Sequence, residues 1–292
     1  MTGGAQSAAN VRPRVHRAPT RTARLPAPLL LRGLAASCRQ AWRAQFVFRA
    51  AIWSGIVGAC LQVVLVFLVW RAVYGTRTEV ADVDHANAIT YAILGVLASI
   101  VFQPFVFDTL YGRLRTGAIA FDVMRPISAV PSALAQQVGA SLAQLPAVLC
   151  ALVIGLAIGA IEPPGTVASA LAFAASLALG FTIVLILNFT VGLVGFWTLE
   201  VGGAFLIYRM LAQFSSGALI PLWFMPGGLR TALELLPFSA QVFTPLSIYL
   251  DRSPGVHTLQ AIGGQLIWIV VLAALAALVW RRAVRRLVIF GG

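Results

Sequence analysis

The sequence predicts an all-α integral membrane protein. We expect six transmembrane helices, an N-terminal amphipathic helix in the membrane interface, and a re-entrant outer helical hairpin between spans five and six. Three observations carry this prediction. Of 292 residues, 60% are apolar and 10% charged, against about 45–50% and about 25% in globular proteins. The mean hydropathy is +0.90. The apolar residues also fall in long runs, each near the ~20 residues that cross a ~30 Å hydrocarbon core. A soluble fold of this length needs a charged surface, and this composition cannot supply one.

Taken in order, residues 1–28 are rich in Arg, Pro, Ala and Thr, with Arg12, Arg14, Arg17, Arg21 and Arg24 and no acid. No apolar stretch follows closely enough for a cleaved signal peptide. We expect a disordered basic cytoplasmic tail, suited to an anionic inner leaflet. A charge run alone does not make a nucleic-acid site, and none is expected. The transmembrane domain then occupies 29–292.

Residues 29–49 read as the amphipathic helix. Arg32, Arg39 and Arg43 recur at i, i+7 and i+11, which at 100° per residue keeps them within about 40° of one another. Leu30, Leu34, Ala41 and Phe48 fall on the opposite face. A basic stripe against an apolar stripe describes a helix lying in the interface.

The spans are expected at 51–70, 87–107, 134–160, 166–188, 199–220 and 260–280. No charge marks the junction from Asn188 to Leu199, so that boundary is weakly determined. Arginine placement sets the orientation. Nine arginines precede the first span; Arg113, Arg115 and Arg125 lie between spans two and three; Arg281, Arg282, Arg285 and Arg286 follow the sixth. These are sixteen of the 21 basic residues, and they place both termini in the cytoplasm. The outer loops hold Arg71, Arg77, Arg230 and Arg252 among most of the acids.

All 21 basic residues are arginine. Without lysine the chain has no Walker-type phosphate loop, whose ammonium reaches the β and γ phosphates. Schiff-base chemistry on lysine is excluded as well. Cys38, Cys60 and Cys150 have neither metal-ligand nor disulfide-framework spacing, and read as packing residues. His16, His85 and His257 are scattered, and no metal site is expected.

Two connecting segments stand out. The inner loop, residues 108–128, carries Asp108, Arg115 and Asp122 at intervals of seven, one polar stripe on a helix. Gly112 and Gly117 shorten or break that helix, and Arg125-Pro126 ends it. A short polar helix along the membrane surface is a place for a cytosolic partner to push. The outer segment, residues 216–238, is apolar yet broken by Pro221, Pro226 and Pro237. Two short helices dipping into the membrane fit it better than a continuous span, with Gly227-Gly228 at their turn. Broken backbone at that depth is tolerated only where protein or a watered cavity covers it.

Gly117-Ala-Ile-Ala-Phe-Asp122-Val-Met-Arg125-Pro126-Ile-Ser resembles the cytoplasmic-loop signature of ABC-2 type transporter permeases. The outer segment is similar to the same family through Ser216-Gly217, Ile220-Pro221, Phe224, Pro226, Leu236-Pro237-Phe238 and Pro245. Phe196-Trp197-Thr198 with Glu200 resembles its junction between spans four and five. The three motifs keep their order over roughly residues 30–290.

The resemblance implies the membrane subunit of a bacterial ABC exporter in the inner membrane. It implies a partner ABC ATP-binding subunit, and a second permease copy or related permease completing a homo- or heterodimer. No cofactor is implied in this chain, since magnesium–ATP binds the partner, and no catalytic residue. Carried over residue by residue, Gly117, Asp122, Arg125 and Pro126 become the coupling element to the ATPase. Gly217, Pro221, Phe224, Pro226, Pro237 and Phe238 become an outer re-entrant gate.

Two charges fall within span five. Glu200 and Arg209 are nine residues apart, about 180° on one helix, so they cannot pair locally. Glu200 sits at the inner end. Arg209 is expected about 9 × 1.5 Å further in, where a charge usually faces a bundle interior or cavity. Gln213, one turn on, shares its side. Arg209, Gln213 and Glu200 are therefore the pathway candidates. Gln62, Gln103, Gln136, Gln137, Gln144 and Gln265 are candidates for hydrogen bonds between spans.

An ATP-independent carrier or channel is the alternative. It would carry an internal repeat or ionisable groups in several spans, and the sequence has neither. A membrane enzyme would cluster Asp, Glu, His or Cys at one depth, whereas the nine acids are mostly dispersed through loops. Apolar spans with few charges favour an amphipathic or hydrophobic substrate.

Overall fold

The computed structural model describes residues 26–75, 79–80, 83–102, 129–198, 202–252 and 255–290. Five of its helices are long and apolar enough to cross a membrane: Arg49–Tyr74, His85–Phe102, Val130–Ala157, Val167–Phe196 and Val256–Ala283. The chain is a multi-pass helical membrane protein.

The first helix, α1 (Ala27–Gln45), follows Pro26 and has no buried residue of its own. It packs on α4 (Ala129–Leu142). The approach is so close at Gly139 that a Cβ there would collide with the Cys38 carbonyl oxygen. Ser37 Oγ and Ser132 Oγ lie 3.3 Å apart across the same contact.

Helix α2 (Arg49–Tyr74) matches the first expected span, extended by a turn at its C-terminal end. Trp53 is 68% exposed and Val57 62% exposed. Large apolar side chains on the outside, over a packed interior, are what a lipid environment selects. After Gly75 a small hairpin forms from β1 (Glu79–Val80) and β2 (Val83–Asp84), with Glu79 opposite Asp84. Tyr74 donates to the Val83 carbonyl at 3.1 Å. Asp84 Oδ2 accepts the Ala86 amide at 3.0 Å, capping α3 (His85–Phe102). That helix is the most enclosed of the five, with Tyr91 and Ile93 fully buried.

The third expected span is interrupted. It consists of α4 and α5 (Leu145–Ala157), separated at Ala143-Gln144, with Pro146 in the first turn of α5. Proline has no N–H for a continuing helix, so it starts one instead. One core joins Ala59 and Val63 of α2, Ile89 and Ile93 of α3, and Ala151 of α5. Helix α6 (Val167–Gly192) opens on a capping box between Thr166 and Ser169, and runs into a 3₁₀ turn, Leu193–Phe196.

The fifth expected span is shorter than the sequence suggested. Helix α7 covers Gly202–Ser215, 14 residues, or about 21 Å at 1.5 Å per residue. It stops where Ser216 and Gly217 turn the chain, and Gly217 has φ 75°, a conformation only glycine adopts freely. The expected helix to residue 220 is therefore cut by the turn. A 3₁₀ turn, Leu222–Phe224, follows, then α8 (Gly227–Glu234) and α9 (Phe243–Tyr249). Gly227-Gly228 opens α8 rather than forming the turn between two helices. Helix α10 (Val256–Phe290) is the longest, 35 residues, and packs along α6.

Candidate functional site

The break after α7 brings an apolar segment back across the bundle, and its contacts place the site. Gly217 accepts a hydrogen bond on its carbonyl from the buried Tyr91 hydroxyl at 3.0 Å. The Phe243 amide donates to the Ser216 carbonyl at 3.1 Å. Trp223 lies edge-on to Tyr91, ring centroids 5.0 Å apart, with the Arg252 guanidinium 4.6 Å above its ring. Tyr249 donates to the Glu162 carbonyl at 2.7 Å, and burial pushes its phenol above the ordinary value, so it remains a donor.

A second set of bonds holds residues 239–242 against α6 and α10. Gln265 Nε2 donates to the Ser176 carbonyl at 3.0 Å and to the Ala240 carbonyl at 2.8 Å. Gly180 faces the same stretch, and a Cβ there would lie 2.6 Å from the Gln241 carbonyl oxygen. Small residues at such crossings let backbone approach closely. The next side chains along, Gln241 and Val242, form one wall of a cavity.

That cavity encloses about 70 Å³, room for more than one water molecule. Its polar lining is Ser99, Asn188, Tyr208, Arg209, Gln213, Ser216 and Gln241, with apolar walls that include Phe102, Val184 and Phe205. The structure thus brings Arg209 and Gln213 together on one wall. Among the described residues Arg209 has no hydrogen-bond or ion-pair partner. Gln241 is 4% exposed and its Nε2 is unpartnered. The described acids do not come to Arg209; Glu234, for one, pairs with Arg230 at 2.7 Å on the exposed face of α8.

The other sequence candidates divide. Gly217, Pro221, Phe224, Pro226, Pro237 and Phe238 all fall in the segment between α7 and α9. Phe224 packs against Trp70, centroids 5.5 Å apart, and Phe238 stands 6.3 Å from the Tyr208 ring. Pro221 and Pro226 precede the 3₁₀ turn and α8. Glu200 and the loop residues Gly117, Asp122, Arg125 and Pro126 lie outside the described residues, as does the tail to residue 25. Of the glutamines, Gln265 bonds between helices, while Gln136 reaches Ser132 one turn back in its own helix. Sequence reasoning missed Gln241, Asn188, Ser99 and Tyr208. The one available signal was a polar amide inside an apolar stretch, at Asn188 and Gln241.

Five helices long and apolar enough to cross a membrane define a multi-pass membrane protein, and α3, α6 and α7 enclose a cavity that presents Arg209. A protein-family model described as "ABC-2 family transporter protein" matches residues 60–291. The chain belongs to the ABC-2 transporter family. No curated protein matches its sequence.

Proposed function

We propose that this chain is the transmembrane permease subunit of an ABC-type exporter, moving an amphipathic or hydrophobic substrate outward. The energy enters through ATP hydrolysed by a separate nucleotide-binding subunit. The family match over residues 60–291 carries this reading, and the absence of lysine agrees with it, because these residues hold no phosphate-binding loop of their own. A second copy, or a related permease, completes the pathway.

In this reading both termini are in the cytoplasm of a bacterial cell, at its inner membrane, and α7 supplies the sixth crossing together with its flanking residues. Helix α1 lies in the inner interface, its arginines toward anionic headgroups. The loop holding Gly117, Asp122, Arg125 and Pro126 receives the motion of the ATPase. The segment from Gly217 to Phe238 closes the outer end as a re-entrant gate, and Arg209, Gln213 and Glu200 line the route.

The test is purification of the full-length chain under mild conditions, with the co-purifying ATP-binding protein identified. Inactivating that protein's ATPase should abolish transport. Transport that survives without any ATP-binding partner would assign the chain to ATP-independent carriers or channels.

A further inference from the structure

We propose that the cavity between α3, α6, α7 and the segment before α9 binds the anionic group, a carboxylate or a phosphate, of an amphipathic ligand. Arg209 and Gln241 are the residues that recognise it. The inference rests on the transport reading above for its purpose, and on the cavity alone for its chemistry.

The lining determines the sign of the ligand. Arg209 offers five N–H donors and no acceptor, and the Gln241 amide nitrogen offers two more. Neither has a partner among the described residues. The two serine hydroxyls are already committed: Ser99 donates to the Gly95 carbonyl at 2.8 Å, and Ser216 to the Gln213 carbonyl at 3.3 Å. Among the described residues no carboxylate lines the cavity. A cationic ligand would meet the Arg209 guanidinium with no counter-charge among the described residues, whereas an oxyanion could accept from both Arg209 and the enclosed Gln241 amide. Buried donors without partners are uncommon in folded proteins, so Gln241, enclosed yet unpartnered, points to a ligand as its partner.

The size and surroundings determine the rest. The cavity, about 70 Å³, is of the scale of a headgroup. Arg209 is exposed while Gln241 is enclosed, so the cavity runs inward from the α7 side. Beyond Arg209 the outer face of α7 is apolar, with Leu206 55% and Met210 60% exposed. An acyl chain leaving the cavity would run along that face. Charge-assisted bonds from a guanidinium to an oxyanion are roughly twice as strong as neutral ones, and a low-dielectric surrounding strengthens them further.

The experiment uses the full-length chain in phosphatidylcholine nanodiscs, with empty nanodiscs as reference, and measures binding by titration. The probes are oleate and oleoyl-lysophosphatidate, their neutral counterparts oleyl alcohol and monoolein, and inorganic phosphate. The anionic amphiphiles should bind at least about tenfold more tightly than the neutral ones. Arg209→Gln should abolish that preference, Gln241→Leu should reduce it about threefold or more, and Arg209→Lys should retain part of it. Equal affinity for charged and neutral probes overturns the proposal. So does a preference unchanged in both Arg209→Gln and Gln241→Leu. Inorganic phosphate binding as tightly as the amphiphiles would make this a free-anion site and overturn the amphipathic ligand. Should Arg209→Gln fail to elute as a monodisperse protein, Gln241→Leu and Arg209→Lys decide the matter. Because the assay uses neither ATP nor transport, its failure leaves the exporter reading intact, and loss of the ATPase partner would leave this binding result intact.

Discussion

Ser176 and Gln265, 89 residues apart in sequence, hydrogen-bond each other reciprocally at a helix crossing. Ser176 Oγ donates to Gln265 Oε1 at 2.9 Å, and Gln265 Nε2 donates back to the Ser176 carbonyl at 3.0 Å. The second Nε2 proton goes to the Ala240 carbonyl. One buried glutamine thereby ties α6, α10 and the segment bearing Gln241, and so sets a wall of the cavity.

Replacing Gln265 with Leu should therefore cost more than replacing Ser176 with Ala. Each buried group left without its partner costs about 1–3 kcal/mol; the first variant removes all three Gln265 bonds, the second only the one to Gln265 Oε1. Thermal unfolding of the purified chain in a neutral detergent measures both. Equal midpoints for wild type and Gln265→Leu would show that the pair does not tie the helices.

Gly180→Ala should destabilise by about 1–3 kcal/mol, the usual range for overpacking, because its Cβ would lie 2.6 Å from the Gln241 carbonyl oxygen. Gly203 is the matched control: it lies in α7 with nothing within 4 Å of an added Cβ. There Gly→Ala should be neutral or stabilising by about 0.5–1 kcal/mol. The unfolding midpoint should fall for Gly180→Ala and hold or rise for Gly203→Ala.

In the segment 108–128, Asp122→Ala combined with Arg125→Ala should weaken association with the proposed ATP-binding subunit while leaving membrane insertion intact. The check is the amount of ATPase recovered with the tagged chain, beside the amount of chain in the membrane fraction. We expect recovery to fall about tenfold, the scale of a lost charge-assisted contact at an interface. Normal recovery and normal transport in the double variant would remove this loop from the coupling role.

The long elements were legible in the sequence because hydropathy reports the solvent, and a bilayer demands apolar runs of a set length. Residues 51–70 became the core of Arg49–Tyr74, and 260–280 the core of Val256–Phe290. The break inside the third span was harder to see. Pro146 was visible, but proline is compatible with a kink or a fresh start, and only packing against α1 and α2 chooses. Likewise, α7 ends at Ser215 because Gly217 takes a positive φ and lends its carbonyl to Tyr91. That partner lies 126 residues away in sequence, and no local pattern encodes it.

Composition alone pointed to a helical membrane protein, and the lack of lysine determined that these 292 residues hold no phosphate-binding loop of the Walker kind. Both follow from what residue types can do, wherever they sit. The pairing of Arg209 with Gln213 on one wall was also legible, since four residues make one helical turn. The opposite wall, Gln241 and Asn188, was decided by tertiary structure only. Gln265 and Gly180 hold that segment against α6 through a three-way contact between distant parts of the chain, and periodicity within one helix carries no information about which donors converge from the others.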